Sequence, residues 1–188
     1  MTVPQVSIKD SQPVALPVEL DGIPAELKRW PRWVNWRYAL DGEKWTKHPC
    51  NPRTGRKASS TDLPTWSTFE DVLAAHKAGG HDGVGFVFCS GDPYAGVDLD
   101  GRRDPESGQI EAWTAEIVRG LDSYTELSPC GFGRRGCTLD TILLAAAIDA
   151  YPIGVAPHPV PAGARVGAFY GSAVVVVRLA VHACRVGR

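Results

Sequence analysis

Asp98 and Asp100 flank Leu99 at the end of a largely apolar run, Gly83-Val-Gly-Phe-Val-Phe-Cys-Ser-Gly-Asp-Pro-Tyr-Ala-Gly-Val-Asp-Leu-Asp-Gly101. The run reads as a buried strand, a turn and a second strand. Strand side chains alternate faces, so the two carboxylates are expected on one side, about 6–7 Å apart. Held together on a rigid strand they repel, and a bound divalent cation is a good reason to keep them there. Hard, oxygen-preferring Mg²⁺ or Mn²⁺ suits such ligands. A calcium loop of the EF-hand kind would need an acid or amide at 102 and glycine at 103, and both positions hold arginine.

A second group of chemistry-bearing residues precedes it. Lys44, Lys47, Arg53, Arg56 and Lys57 surround the segment Lys47-His-Pro-Cys-Asn-Pro-Arg-Thr-Gly-Arg-Lys57, opposed only by Glu43. Pro49, Pro52 and Gly55 make the segment a loop. It fits a solvated basic loop. It also fits a phosphate-binding loop, in which Asn51 and Gly55 let the backbone approach and the cations neutralise oxyanions. His76 and His81 have poor spacing for a shared metal.

The elements that must position these groups follow from pattern. Ile23–Trp30 reads as a short helix with Pro24 in its first turn. Trp33–Tyr38 reads as an aromatic strand, Asp41-Gly42 as a hairpin turn, and Lys44–Lys47 as the returning strand. A helix opens at Trp66, with Ser67 and Glu70 as a capping box, and ends at Gly79-Gly80. A second helix spans Ile110–Leu121, with Ile110, Trp113, Ile117 and Leu121 on one face. Tyr124–Pro129 reads as a strand entering a glycine-containing turn. The pattern is mixed α and β.

Composition bounds the rest. With 188 residues and a net charge of −1, the chain suits one domain plus a tail, and no overall basic field announces nucleic acid. Five irregularly spaced cysteines and the lack of a signal-peptide pattern point to reduced thiols in the cytoplasm. No apolar run approaches the roughly 18 residues of a membrane span. Residues 1–20, with Pro4, Pro13 and Pro17, read as a flexible leader.

The composition breaks after Pro129. All six lysines and all eight glutamates precede it, and Asp140 and Asp149 are the only acids after it. Ala, Gly, Val, Pro and Arg dominate residues 130–188. An ordinary domain carries Lys and Glu on its surface. The segment is either an unusual C-terminal lobe or GC-rich DNA read out of frame, and the composition favours the latter. Thr141–Ala150 reads as a helix and Ser172–Ala183 as a strand or helix.

Six elements in order resemble the bifunctional primase–polymerase domain of phage and plasmid replication proteins, in the archaeo-eukaryotic primase superfamily. They are Trp33–Trp36, Lys47–Lys57, Trp66–Glu70, Gly83–Phe88, Val97-Asp-Leu-Asp-Gly101 and Tyr124-Thr-Glu-Leu-Ser-Pro129. The resemblance covers about residues 23–129. It implies an α+β fold, a two-lobed primase-like core with one lobe built like an RNA-recognition-motif sheet, here incomplete at its C-terminal side. Residues 21–129 would be the N-terminal part of that catalytic domain.

The resemblance further implies template-directed nucleotidyl transfer in DNA replication, with Asp98 and Asp100 holding Mg²⁺ or Mn²⁺. DNA template, primer and NTP or dNTP would be the partners, a fused or separate replicative helicase a further one, and the bacterial cytoplasm the location. Lys47, Asn51 and Arg53 are expected to contact nucleotide or template, as are Ser128, Gly131 and Arg135. The family motif continues Ser-Pro-Ser-Gly-x-Gly-x-His, with the histidine on the incoming triphosphate. Here it departs after Pro129, and Arg135 stands at the histidine position. A guanidinium can also contact phosphate. The third carboxylate has no counterpart at the family spacing, since Asp140 and Asp149 read as helical. The expectation is therefore a weak or inactive enzyme as this chain, or alternatively a non-catalytic module binding nucleotide or single strands through Trp and Arg side chains.

Overall fold

A computed structural model describes residues 12–42, 44–89, 94–103, 107, 109–127, 137–143, 166–169 and 174–179. At residues 44, 95–103, 127, 137–143, 166–169 and 174–179 the description is of the backbone. The described chain is α+β: helices accompany two four-stranded antiparallel sheets. The first sheet has the order β2-β1-β3-β8, from β1 (Trp33–Asp41), β2 (Lys44–Cys50), β3 (Gly83–Phe88) and β8 (Val174–Leu179). The second has the order β5-β6-β4-β7, from β4 (Ala95–Arg103), β5 (Tyr124–Leu127), β6 (Cys137–Leu143) and β7 (Val166–Phe169). The consecutive strands β3 and β4 thus lie in different sheets.

The aromatic strand forms as its composition requires. Asp41 pairs with Lys44, which closes the hairpin, and Gly42 takes φ +59°. The return strand is longer than expected. It runs through Lys47, His48 and Pro49 to Cys50, taking the first part of the expected basic loop into the sheet. Proline is tolerated because β2 is an edge strand, where one row of amides has no ladder partner to lose.

One face of β1 and β3 holds the main core. Trp33 packs edge-on against Phe69 at 4.8 Å and Phe86 at 5.2 Å, joined by Val72, Leu27, Ile23 and Phe88. Buried Asn35 donates through Nδ2 to the Val72 carbonyl at 2.9 Å, tying strand to helix. The opposite face carries Val34 and Val87 with Ala58 and Trp66, and further along Trp36 with Tyr38. Gly83 is required there. A Cβ at this position would lie 2.6 Å from the Trp36 indole, which donates from Nε1 to the Val84 carbonyl at 3.1 Å.

Helix α1 is one turn, Ala25–Lys28, with Pro24 just before it. Helix α2 spans Phe69–Ala78 and is capped by Thr68, whose hydroxyl accepts from the Asp71 amide at 3.3 Å. The expected cap at Ser67 is displaced because Ser67 exchanges backbone hydrogen bonds with Trp33, which extends the sheet. The Ser67 hydroxyl instead donates to the Asp71 carboxylate. Gly79 ends the helix at φ +93°. Helix α3 spans Ala112–Leu121 and buries Thr114, Ile117, Val118 and Leu121, so its inner face excludes Ile110 and leaves Trp113 at the margin.

Past residue 129 one expectation is corrected, and of the two forms expected for residues 172–183 the strand is the one found. Residues 141–143 belong to strand β6 and not to a helix, in keeping with the β-branched Thr138, Thr141 and Ile142. The valine run Val174–Val177 forms β8 beside β3. Residues 144–150 lie outside the described residues.

Candidate metal centre and nucleic-acid interface

Strand β4 lies between β6 and β7, and β6 lies between β4 and β5. Asp98 on β4 is the register partner of Asp140 on β6 and of Gly167 on β7. Asp140 is in turn the partner of Glu126 on β5. Three acidic positions therefore form one lateral row across three neighbouring strands. Directly opposed residues share a sheet face, with Cβ atoms about 4.5–5.5 Å apart, and like charges so opposed are destabilising. The row is all-oxygen in chemistry, which fits a hard divalent cation and not a soft one.

Asp100 stands differently. Pairing between β4 and β6 is regular to Leu99, opposite Leu139, and resumes only at Arg103, opposite Cys137. Asp100 enters that irregular stretch, so simple alternation with Asp98 stops just before it. Bulges of this kind re-aim a residue relative to its neighbours and recur next to active sites. Asp98 and Asp100 are thus together on β4, at the edge of regular pairing.

Glu126 was missed in the sequence. The available signal was an acid within the otherwise neutral Tyr124-Thr-Glu-Leu127 strand, where period two sets it beside Tyr124. Glu126 is 0% exposed and accepts a hydrogen bond from the Tyr124 hydroxyl at 3.0 Å. Burial raises the Tyr124 pKa well above the usual phenol value, and the charge of Glu126 and that hydrogen bond raise it further. Tyr124 therefore remains a protonated donor to the carboxylate. Its ring also packs against the Trp33–Phe86 core, fixing β5 to the first sheet. Among the described residues no group of three or more His, Cys, Asp or Glu is arranged for a metal, a statement that does not extend to Asp98, Asp100 or Asp140, where the backbone alone is described.

The expected nucleotide-binding residues divide into three sets. Asn51 is buried, and its Oδ1 accepts from the Arg53 amide at 2.9 Å and the Thr54 amide at 3.3 Å. Its backbone exchanges hydrogen bonds with Arg56 and Gly55, and Gly55 takes φ +67°. The amides of residues 51 and 53–56 are thereby spent within the loop. This corrects the expectation of a backbone phosphate cradle: Asn51 builds the loop. Arg53 is anchored through Nη2 to the Trp66 carbonyl at 2.8 Å, and Arg53, Arg56 and Lys57 are exposed. Lys47 stands apart on β2, with Nζ 5.9 Å from the Trp36 ring centre. Ser128, Gly131 and Arg135 lie outside the described residues.

An antiparallel α+β chain with an acidic row on its central strands defines the class of candidate. Comparison with known proteins adds a particular likeness. The chain is similar to a protein named DNA Primase-polymerase from Nitratiruptor phage NrS-1, at 37% identity over 116 residues. The match covers 62% of this chain and 16% of that relative, so the chain spans about one-sixth of the relative's length. No family model matches the chain. The name of that relative agrees with the primase–polymerase resemblance carried by the six motifs. Among the described residues, no helix is long and apolar enough to cross a membrane.

Proposed function

We propose that the chain is the N-terminal part of a template-directed nucleotidyltransferase acting in DNA replication, with NTP or dNTP, primer and template as substrates. The Asp98-Leu99-Asp100 pair on β4 carries this reading, and the register that sets Asp98 opposite Asp140, and Asp140 opposite Glu126, adds acidic positions that a divalent cation would offset. Asp98 and Asp100 would hold Mg²⁺ or Mn²⁺, with Asp140 the candidate third carboxylate. The bound metal supplies Lewis-acid stabilisation of charge developing on phosphoryl oxygens. Glu126 holds the row's far end, kept in place by the Tyr124 hydroxyl. Arg53, Arg56 and Lys57 neutralise phosphate along the polynucleotide, and Arg135 fills the position of the family histidine. A replicative helicase, fused or separate, and the cytoplasm complete the reading.

Turnover by this chain alone is expected to be weak or absent, because the family motif departs after Pro129 and no carboxylate follows at the family spacing. Residues 130–188 remain, by composition, a candidate for out-of-frame translation, in which case Arg135 and Asp140 drop out of the site and Asp98 with Asp100 alone carry the metal role. The coding DNA decides this: another frame past codon 129 should encode a continuation rich in Lys and Glu. The activity test is primer extension with Mn²⁺ or Mg²⁺. Robust extension that disappears in Asp98→Ala would overturn the expected weakness and keep the metal role. Extension unaffected by that substitution would overturn the metal role itself.

The second reading is a non-catalytic single-strand-binding module, favoured by the aromatic and cationic face of the β1–β2 hairpin. Salt-sensitive binding with no metal affinity would select it.

A further inference from the structure

The register of the first sheet sets Trp36, Tyr38 and Leu40 of β1 opposite Pro49, Lys47 and Trp45 of β2, all on one face. Trp36 and Tyr38 meet edge-to-face at 5.2 Å, and both Ala15 and Trp45 pack against that pair. Leu40, next along, is 56% exposed. The Trp45 indole N–H is buried and meets no acceptor among the described residues. A buried donor left without an acceptor costs about 1–3 kcal/mol. An acceptor brought from outside would relieve that cost.

We propose that this face, with Tyr38, Trp45 and Lys47 as its contacts, binds single-stranded nucleic acid, and that the segment around Ala15 is a cover the strand displaces. The proposal rests on the nucleic-acid reading above but not on the metal centre. Bases present flat π surfaces to the rings, and base or phosphate oxygens supply the acceptor that Trp45 lacks. Lys47 lies among the rings, and beyond the end of β2 the exposed Arg53, Arg56 and Lys57 continue the positive charge. That run favours a polyanion over an apolar protein partner.

The test is fluorescence anisotropy of a labelled oligothymidylate with the full chain. Trp45→Ala should weaken binding about tenfold. Lys47→Gln should weaken it and lower the salt slope by about 0.7. Trp45→Phe keeps a ring but removes the stranded N–H, so it should raise the melting temperature while weakening binding about two- to tenfold. A structural role alone would not move those two readouts in opposite directions. Ala15→Gln should dislodge the cover and tighten binding. Wild-type affinity in Lys47→Gln and Trp45→Phe, or weaker binding by Ala15→Gln, overturns the proposal. Asp98-dependent Mn²⁺ binding, measured in the same chains, stands or falls separately and so distinguishes failure of this surface from failure of the metal reading.

Discussion

Asp140 on β6 is the register partner of Asp98 on β4. The pair places like charges on adjacent strands, an arrangement that is unfavourable by roughly 0.2–1 kcal/mol unless a cation intervenes. Asp140→Asn is therefore expected to stabilise the metal-free chain by about that amount. In excess Mn²⁺ the sign reverses, because the variant binds the ion less well and gains less from it. Thermal melts with and without Mn²⁺ check both halves. An identical Mn²⁺-induced shift in wild type and variant would remove Asp140 from the site.

Gly83 permits a close approach in the first sheet. Gly83→Ala would bring a methyl group within 2.6 Å of the Trp36 indole, which the Val84 carbonyl and the Tyr38 ring hold in place. The expected loss is about 1–3 kcal/mol, the usual range for overpacking. Urea unfolding at unchanged slope measures it. A wild-type midpoint would mean that the indole moves freely, contrary to its hydrogen bond to Val84.

Much of the first sheet was legible because its signals are local. Aromatic alternation marks β1, an unbroken apolar run marks β3, and Gly79 stops α2. What was not legible depended on partners distant in sequence. Pro49 suggests a loop until β2 is known to be an edge. Ser67 has the form of a helix cap until Trp33 takes its backbone. Asp140 reads as helical because alanines follow it, yet the β-branched residues around it pair with β4. Tyr124-Thr-Glu-Leu127 shows an acid in a strand, but not that the row opposite it is acidic too. A register is a property of two segments, and neither contains it alone.

Asn51 is a further case in which chemistry hinted at by residue type is taken up by structure. Its side chain serves the amides of Arg53 and Thr54, and donates to the Pro64 carbonyl at 3.4 Å. Asn51→Ala strands those amides in a partly buried loop, with an expected cost of about 1–3 kcal/mol. Nucleic-acid affinity should fall only as far as the loop loses its order, and Asn51→Asp, which keeps the acceptor, should restore most of the stability. Full stability in Asn51→Ala with a large loss of affinity would restore Asn51 to a direct binding role.

Tyr124 couples the acidic row to alkaline pH. Its folded pKa is raised above the unfolded value near 10, first by burial and then by Glu126. For a group so raised, the protonated form is favoured in the folded state. Its contribution is fully present below about pH 10 and is lost as the pH rises above that value, where the unfolded chain releases the proton and the folded chain does not. Wild-type stability is thus expected to fall above about pH 10 more steeply than that of Tyr124→Phe. At neutral pH the order is opposite, because the variant deprives Glu126 of its phenol donor, a loss of about 1.5–3 kcal/mol for a hydrogen bond to a charged group. The two stability curves should therefore converge as the pH is raised. Denaturant midpoints from pH 7 to 11 provide the measurement, and parallel curves across that range would show that folding does not raise the phenol's pKa.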